Sequence, residues 1–318
     1  MLRARGQMRL IETPGAPWAA VLGHPVGHSL SPVMHRAAYR VLGSDIEYTA
    51  ADIQEETLAD VVEPALQDGN WRGFSVTMPL KSAACRFAGR LTEFAQTVGV
   101  INTLAPVGGA DGQVVGHNTD VSGIVNALLR TGACTSKEPE AAIIGGGGTA
   151  TAAVAALHVL GAARCTVFVR DSARAGRVVD VAGRLGMELS FEPLDEAATS
   201  LSGFDLVVST LPARAFDTYA QSIQGDLSRT AVLDVSYDPW PSDLAQAISA
   251  CGGTPVSGRE MLLYQAVDQI KLFTGQSLFE ALPNQEAVLS VMAEALGLTP
   301  RTDEPRLVCD DKMLRPRN

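Results

Sequence analysis

The sequence predicts an α/β fold made of two domains. The chain has 318 residues, which suits one large domain or two ordinary ones. Short apolar runs alternate with segments of helical spacing along most of its length, starting with the run Trp18–Gly23. Hydrophobic residues make up 46% of the chain and aromatic residues only 5%, a composition typical of closely packed helices and strands. Such alternation indicates helices that cover a mostly parallel sheet.

Strands and helices alternate through the first part of the chain. Pro32 is expected to begin a helix that ends near Leu42, with Ser31 as its N-cap. A glycine-rich turn at 108–112 is expected to join two paired strands. The predicted elements are strands over 18–23, 46–50, 73–76, 100–104 and 114–116, and helices over 32–42 and 58–66.

The second part continues the alternation in an order that resembles a Rossmann-like unit. Asp120 is placed to cap a helix that ends near Arg130, and a polar link over 131–140 follows. The last two predicted helices have no strand between or after them, so we expect them to pack on the first domain. The predicted elements are strands over 141–144, 165–169, 204–209 and 230–235, and helices over 151–160, 172–185, 261–273 and 285–296.

The overall charge and composition limit the possible partners. A net charge of −10 and a pI near 5.0 argue against a nucleic-acid-binding protein. The five cysteines are scattered, without Cys-x-x-Cys spacing, which indicates reduced thiols. No apolar run is long enough to span a bilayer, and no signal-peptide core follows the basic start. We therefore expect a cytoplasmic monomer or homodimer that binds neither nucleic acid nor membranes.

An apolar strand, a glycine-rich turn and an alanine-rich helix follow one another over 141–160. The pattern Gly145-x-Gly147-x-x-Ala150 is typical of a dinucleotide-binding turn. Its first glycine permits the tight turn, its second lets a pyrophosphate approach the backbone, and its small third residue lets helix and strand pack closely. The helix N-terminus offers N–H groups to the phosphates. The predicted turn comprises Gly145, Gly146, Gly147, Gly148, Thr149 and Ala150.

The end of the next strand is expected to face the adenosine ribose of that cofactor. An acidic residue there favours NAD, whereas arginine favours the 2′-phosphate of NADP. Arg170 and Arg174 could clamp a phosphate. Asp171 would repel one if it pointed inward, but it could instead be a helix N-cap facing solvent. We expect NADP, with NAD as a possible alternative.

The segment Gly23–His35 is dense in small polar residues where a strand meets a helix. Ser29 and Ser31 can point the same way in an extended turn. Two hydroxyls and a helix N-terminus could hold a carboxylate, although Ser31 could also serve only as a helix cap. No acidic or cysteine partners stand at ligand spacing from the histidines, so no metal site is expected. These histidines are His24, His28 and His35.

Lys81 and Asp120 precede the glycine turn. Lys81 ends the run Gly73–Lys81, and Asp120 ends His117-Asn118-Thr119-Asp120. An enzyme that transfers a hydride to or from an alcohol needs one group to move the hydroxyl proton and another to hold and tune that group. We therefore expect Lys81 and Asp120 to be catalytic.

These elements and motifs predict that the chain is divided into two domains and a tail. A first domain over 1–122 is expected to bind the substrate and to receive 258–297. A dinucleotide-binding domain is expected over 123–257. The tail over 298–318 is rich in Pro, Arg and Asp and is expected to be disordered.

Together these motifs resemble the shikimate dehydrogenase family over about residues 18–275. The resemblance implies a substrate domain, an NADP domain and the reversible reduction of 3-dehydroshikimate to shikimate in the biosynthesis of chorismate and aromatic amino acids. It rests on Gly23–His35, Gly73–Lys81, Ile101-Asn102-Thr103, Asn118-Thr119-Asp120, the glycine turn, and Gly258-x-x-Met261-Leu262-x-x-Gln265.

The resemblance also implies a role for individual residues. Lys81 would be the catalytic acid and base, paired with Asp120. Ser29 and Ser31 would bind the substrate carboxylate with help from Thr77. The further substrate residues would be Asn102, Asp120 and Gln265 at the ring hydroxyls and Tyr237 beside the carboxylate. The further cofactor residues would be Glu93, Thr210, Leu211, Val235, Gly258 and Met261.

Two positions depart from the family pattern. Ser75 stands where the family commonly has asparagine, so a shorter hydroxyl must replace an amide. His117 stands where an acidic residue often precedes Asn-Thr-Asp, and it is expected to be either a surface histidine at a turn or a titrating neighbour of Asp120. Neither change removes the lysine and the aspartate.

Other functions remain open at this level. The nearest alternatives are an NAD-linked quinate/shikimate dehydrogenase and an enzyme of the aminoshikimate pathway. A non-catalytic regulator that binds similar ligands is the alternative from another class. The presence of both Lys81 and Asp120 argues against a regulator, because ligand sensing needs no proton-transfer pair.

Overall fold

The computed structural model describes residues 13–107, 113–132, 136–301 and 305–306. These residues form two compact units. The first contains the described parts of Met1–Ala95, Val100–Thr119 and Ala266–Glu304. The second contains those of Gln96–Gly99, Asp120–Gln265 and Pro305–Asn318. The predicted limits at 122 and 258 remain predictions about independent domains.

Strands and helices alternate along the described chain, as predicted. The strands are β1 Trp18–Gly23, β2 Glu47–Asp52, β3 Trp71–Val76, β4 Arg90–Leu91, β5 Thr103–Val107, β6 Gln113–His117, β7 Ala141–Ile144, β8 Arg164–Val169, β9 Glu188–Pro193, β10 Leu206–Ser209, β11 Ala231–Asp234 and β12 Thr254–Ser257. The helices are α1 Ser31–Leu42, α2 Leu58–Ala65, α3 Glu93–Val98, α4 Asp120–Leu129, α5 Gly148–Leu160, α6 Gly176–Leu185, α7 Ala197–Ser200, α8 Asp217–Ala220, α9 Asp243–Ala250, α10 Gly258–Phe273 and α11 Gln285–Ala295.

The first unit contains a mixed sheet in the order β2-β1-β3-β5-β6-β4. Its first three strands are parallel, and β3, β5 and β6 pair antiparallel. Trp18, Leu58 and Phe74 are buried in the core on one side of the sheet. Helices α1 and α11 pack against each other in the same unit, which confirms the predicted return of the chain's last helix.

Gly73 allows helix α10 to approach this sheet. Its φ is +155°, and a Cβ built there would lie 2.1 Å from the ring of Phe273. No larger residue fits at that distance, so the glycine lets α10 pack directly on β3.

The second unit contains a parallel sheet in the order β12-β11-β10-β7-β8-β9. Strand order reverses between β7 and β10, the point at which doubly wound folds bind their ligands. Helix α5 follows β7 after the glycine turn, and its alanines are buried. The predicted α/β fold with a Rossmann-like second part is therefore confirmed.

Several predicted details are wrong. Helix α1 begins at Ser31 itself, so Ser31 is not the N-cap; that position belongs to Leu30. The strand predicted over 100–104 starts only at Thr103, because Ile101 and Asn102 donate their backbone N–H groups to Lys81 and His117 instead of forming a regular ladder. Strands β4, β9 and β12 were not predicted; each lies at the edge of its sheet, and β4 and β12 are also short. The predicted turn at 108–112 lies outside the described residues.

Most of the predicted tail also lies outside the described residues. Two of its described residues make contacts within their own units. Arg301 is 2% exposed and donates to the carbonyl oxygen of Thr299. The Asn126 side chain exchanges two hydrogen bonds, 2.7 and 3.1 Å long, with the backbone of Arg306. The disorder expected elsewhere in the tail remains a prediction.

His35 is fully buried in the first unit. Its ring stacks on Tyr48 with centroids 3.9 Å apart, and its Nδ1 lies 3.2 Å from the Tyr39 hydroxyl. Burial lowers the pKa of His35 from 6.5 to about 3. As the pH falls below the unfolded value, the unfolded chain binds a proton that the folded chain does not accept until about pH 3. Because of His35, the free energy of unfolding therefore decreases progressively as the pH falls from 6.5 to about 3.

His35→Phe should flatten this dependence on pH while keeping an aromatic ring. Between about pH 7 and pH 5, the wild type should lose about 2 kcal/mol more free energy of unfolding than the variant. Urea unfolding at both pH values measures the difference. Tyr39→Phe is the matched control, because it removes the same hydrogen bond but keeps the imidazole. An equal loss in all three proteins would show that His35 does not titrate on unfolding.

Candidate functional site

The end of β1 and the turn after β3 lie against each other in the first unit. The N–H of His24 donates to the carbonyl oxygen of Met78 at 3.0 Å, and that of Thr77 donates to Leu22 at 2.8 Å. A Cβ at Gly23 would lie 2.3 Å from Cγ2 of Thr77. Glycine at position 23 thus permits the end of β1 to lie against the turn that contains Thr77.

The two predicted carboxylate-binding serines lie close together at the start of α1. The N–H of Ser31 donates to Oγ of Ser29 at 3.3 Å. Ser29 is partly exposed, whereas Ser31 is 4% exposed. The Ser31 side chain is hydrogen-bonded to the hydroxyl of Tyr48. The side chain of Ser31 therefore bonds to Tyr48 and does not cap helix α1.

Lys81 is held by its backbone next to Asn102. Leu80 closes a turn by donating its N–H to the carbonyl oxygen of Thr77 at 2.9 Å. The carbonyl oxygen of Lys81 accepts from Ile101 at 3.2 Å, and that of Asn102 accepts from Val76 at 2.7 Å. The lysine side chain is partly exposed. The first unit therefore places Thr77 against the end of β1 and Lys81 beside the segment of Asn102, while Ser29 and Ser31 lie in the loop and helix that follow β1.

The side chain of Asn102 has a fixed orientation. Its Oδ1 accepts from the backbone N–H of Thr119 at 2.8 Å and from Oγ1 of Thr103 at 2.9 Å. Its Nδ2 donates to Oγ1 of Thr119 at 2.9 Å. A flipped amide would turn Nδ2 toward a backbone donor, so only one orientation satisfies these groups.

His117 is buried at the end of β6, with 7% of its surface exposed. Burial lowers its pKa from 6.5 to about 4, with a smaller contribution from the charge of Arg90. The prediction of a surface histidine is therefore wrong. A pKa of about 4 keeps the ring neutral near pH 7. The alternative prediction, a histidine beside Asp120 that titrates near physiological pH, therefore has no support either.

The glycine turn lies at the end of β7 in the second unit. Gly145 has a φ of +102°, and a Cβ there would lie 2.8 Å from Oγ1 of Thr210 and 3.0 Å from Leu211. Thr210 is fixed by two hydrogen bonds to the carbonyl oxygen of Ile144, at 2.8 and 3.1 Å. The structure thus brings Thr210 and Leu211 against the turn, and their predicted contact with the cofactor remains a prediction.

Gly147 differs from Gly145 in its surroundings. It precedes α5 with φ −79° and ψ −168°, and nothing in the chain lies within 4 Å of a Cβ built on it. An extended conformation is open to alanine, so neither strain nor internal packing requires glycine here. The space beside it fits an approaching pyrophosphate at the N-terminus of α5. The residues present therefore fit a dinucleotide.

Arg170, Asp171 and Arg174 are all exposed at the end of β8. The carboxylate of Asp171 accepts the backbone N–H of Ala173 at 3.0 Å and caps the 3-10 turn Ser172–Ala175. The capping alternative of the sequence analysis is thus the one observed. Two arginines remain near this strand end to contact an anion.

The N-terminal part of α10 packs closely on the rest of the second unit. A Cβ at Gly258 would lie 2.2 Å from the carbonyl oxygen of Val235. A Cβ at Gly123 would lie 2.7 Å from that of Met261 and 2.9 Å from Cβ of Gln265. Gly123 is one turn beyond Asp120, which begins α4. Asp120 and Gln265 are both buried, so α4 and α10 hold these two predicted residues in one unit.

Asp234 supports the loop after β11, a role that the sequence did not predict. Its carboxylate accepts from the Ser242 hydroxyl at 2.7 Å and from the N–H of Ser236 at 3.2 Å. Burial raises the pKa of Asp234. These bonds hold the loop that contains Tyr237. The only feature of the sequence that could have predicted this role is an acidic residue at the end of an apolar strand.

The loop held by Asp234 borders a small polar cavity of about 240 Å³ that the sequence analysis also missed. Its lining comes from positions far apart in the sequence, so no local pattern marks it. It is lined by Arg214, Asp217, Ser236, Pro239, Ser242 and Asp243.

Glu93 is separate from the other predicted cofactor residues. It is exposed in the first turn of α3 and belongs to the first unit. The remaining cofactor residues all belong to the second unit. Its role in cofactor binding remains a prediction.

The described residues contain neither a metal site nor a membrane span. Over 13–107, 113–132, 136–301 and 305–306, no group of three or more His, Cys, Asp or Glu side chains could hold a metal ion. None of the helices in the part of the chain that the structure describes is long and apolar enough to cross a membrane.

Comparisons with known proteins agree with this geometry. Residues 21–104 match the family model described as the shikimate dehydrogenase substrate binding domain. The chain is 32% identical over 277 residues to the NADP(+) shikimate dehydrogenase of Shouchella clausii, which covers 86% of this chain and 96% of that protein.

Solved structures show the same fold. The shikimate 5-dehydrogenase of Mycobacterium fortuitum has a TM-score of 0.72 at 40% identity, with 88% of this chain and 99% of that one covered. The enzyme of Thermus thermophilus, solved in complex with NADP(H) and shikimate, has a TM-score of 0.71 at 29% identity over 87% and 99%. On its motifs, its fold and these relatives, the chain belongs to the shikimate dehydrogenase family.

Proposed function

We propose that the protein is an NADP-dependent shikimate dehydrogenase. It reduces 3-dehydroshikimate reversibly to shikimate in the biosynthesis of chorismate and aromatic amino acids. The observation that supports this most directly is the fixed position of Lys81 in the first unit, where its carbonyl oxygen accepts from Ile101, the neighbour of Asn102. The relatives named above carry the same activity in their names.

The substrate has one carboxylate and several hydroxyls, which suits the polar groups of the first unit. Ser29 and Thr77 can donate their hydroxyl protons to the carboxylate, and Ser31 can join them when its hydroxyl turns from Tyr48 to the substrate. Asn102, with its side-chain oxygen already hydrogen-bonded, offers Nδ2 to a ring hydroxyl. Asp120 and Gln265 accept from and donate to the other hydroxyls, and Tyr237 lies beside the carboxylate.

Lys81 moves the proton in this proposal. During reduction, its ammonium group donates a proton to the oxygen on which negative charge develops. During oxidation, the neutral amine takes the hydroxyl proton. Asp120 keeps the lysine oriented in this proposal. Bound NADP supplies the hydride in reduction and accepts it in oxidation.

The basic end of β8 favours NADP over NAD. Arg170 and Arg174 can contact the 2′-phosphate, and the carboxylate of Asp171 is already used by the N–H of Ala173. An NAD-preferring site would instead need a carboxylate turned toward the ribose. We propose a cytoplasmic location, a small-molecule substrate, and a monomer or homodimer.

A matrix of shikimate and quinate against NADP⁺ and NAD⁺ tests the proposed function. Turnover followed by absorbance of the reduced nicotinamide should occur chiefly with shikimate and NADP⁺. Preference for quinate or NAD⁺ would indicate the catabolic alternative. Absence of turnover in every combination would favour an aminoshikimate enzyme or a ligand-binding regulator.

Lys81→Ala should lower kcat for shikimate oxidation by about 10²–10⁴-fold, because the variant lacks the group that takes the proton. Binding of NADP⁺, measured by fluorescence titration, should change little. Lys137→Ala is the control, since Lys137 is an exposed lysine of the second unit. An unchanged kcat in Lys81→Ala would remove Lys81 from the catalytic mechanism.

The two glycines of the cofactor turn should respond differently to alanine. Gly147→Ala should fold with nearly wild-type stability, within about 0.5 kcal/mol, yet bind NADP⁺ about tenfold more weakly or worse, because the methyl group enters the phosphate space. Gly145→Ala should lose about 1–3 kcal/mol of stability through its positive φ and its contact with Thr210. Thermal unfolding and NADP⁺ titration separate the two effects. Normal NADP⁺ affinity in Gly147→Ala would place the pyrophosphate elsewhere.

A further inference from the structure

Position 75 carries a serine hydroxyl, and the amide that lies beside it comes from another residue of the same unit. We propose that Gln269 supplies this amide and acts as a positioning residue for Asn102. The inference deepens the proposed function, on which it rests for the role of Asn102 at the substrate. Gln269 belongs to α10 and is 1% exposed.

Ser75 and Thr103 are directly opposite each other on the antiparallel strands β3 and β5. Side chains at such positions lie on the same face, with Cβ atoms about 4.5–5.5 Å apart. An asparagine at position 75 has the length to reach Oγ1 of Thr103 with its own amide. Serine is too short to place a donor of that kind there.

The amide of Gln269 bridges this pair of strands. Its Oε1 accepts from Oγ of Ser75 at 2.8 Å, and its Nε2 donates to Oγ1 of Thr103 at 3.0 Å. The same Nε2 lies 3.2 Å from the carbonyl oxygen of Asn102. One glutamine from α10 thus provides the acceptor and the donor between the two hydroxyls.

These bonds form a directed chain that ends on Asn102. The hydroxyl of Tyr48 donates to Ser75 at 2.7 Å, and Ser75 donates to Gln269. Gln269 donates to Thr103, and Thr103 donates to Oδ1 of Asn102 at 2.9 Å. Each hydroxyl has only one proton, so the direction of every bond fixes the next one.

The far end of the chain touches the proposed carboxylate site. Tyr48 is hydrogen-bonded to Ser31 as well as to Ser75. The chain therefore links Ser31, which would bind the carboxylate, with Asn102, which would bind a ring hydroxyl. Ser75, Thr103 and Gln269 are all buried, so water cannot replace a missing partner without cost.

A set of four proteins tests the replacement: wild type, Ser75→Asn, Gln269→Ala and the double variant. Gln269→Ala should raise KM for shikimate about tenfold while KM for NADP⁺ and kcat change less than about threefold. Ser75→Asn alone should also be impaired, because Gln269 already fills the space. In the double variant, the asparagine amide should reach Thr103 and restore KM to within about threefold of wild type.

The controls address folding and general effects. Gln269→Met keeps the volume of the side chain but has no amide, so it should raise KM for shikimate as Gln269→Ala does even if the alanine variant folds poorly. Gln221→Ala, at an exposed glutamine of the second unit, should leave both KM values unchanged. A double variant no better than Gln269→Ala would overturn the proposal, and so would an equal rise of both KM values in Gln269→Met.

Failure of the proposed function can be recognised separately. If the wild type oxidises no shikimate, that function is wrong, and the four proteins are compared by thermal unfolding instead. If Gln269 supplies the amide beside Ser75, the double variant should unfold at a higher temperature than either single variant. Additive losses would overturn the assignment of Gln269 as the substitute amide.

Discussion

The need of buried polar groups for hydrogen-bond partners organises the first unit. Tyr48, Ser75 and Gln269 have lost contact with water, and each of them is paired. Their pairing requires that β2, β3 and α10 keep fixed distances from one another, since a small displacement would leave a polar atom without a partner. The rigidity that a substrate-binding surface needs thus arises beneath that surface, in the core.

The second unit depends on a different constraint, which is the close approach of backbone to backbone. Gly258 lies against Val235, and Gly123 lies against Met261, at distances that leave no room for a methyl group. The alanines of α5 allow the same closeness behind the glycine turn. Small residues therefore set the geometry of the cofactor turn, whereas polar residues set that of the substrate residues.

Local patterns predicted much of this arrangement, because they reflect local requirements. The strand, glycine turn and helix at β7 and α5 were predicted because a phosphate site needs that order within a few residues. The partnership of Ser75 with Gln269 could not be predicted, since the two residues are 194 positions apart and neither belongs to a motif. A serine before a proline predicts a helix cap, which is one of the two roles predicted for Ser31, but the side chain of Ser31 is hydrogen-bonded to Tyr48 instead. The strand β9 was missed because an exposed sheet edge needs little apolar sequence.

The exposed end of β8 has a consequence for how this protein can change over evolutionary time. Arg170, Asp171 and Arg174 extend from a buried strand but are themselves in contact with solvent. Substitutions at exposed positions usually alter stability by less than about 0.5 kcal/mol. On the proposed roles of these residues, the choice between two nicotinamide cofactors can therefore drift with little penalty in folding. The residues proposed to bind the substrate ring are instead bound to a core that tolerates few replacements. Cofactor preference is the more evolvable of the two specificities.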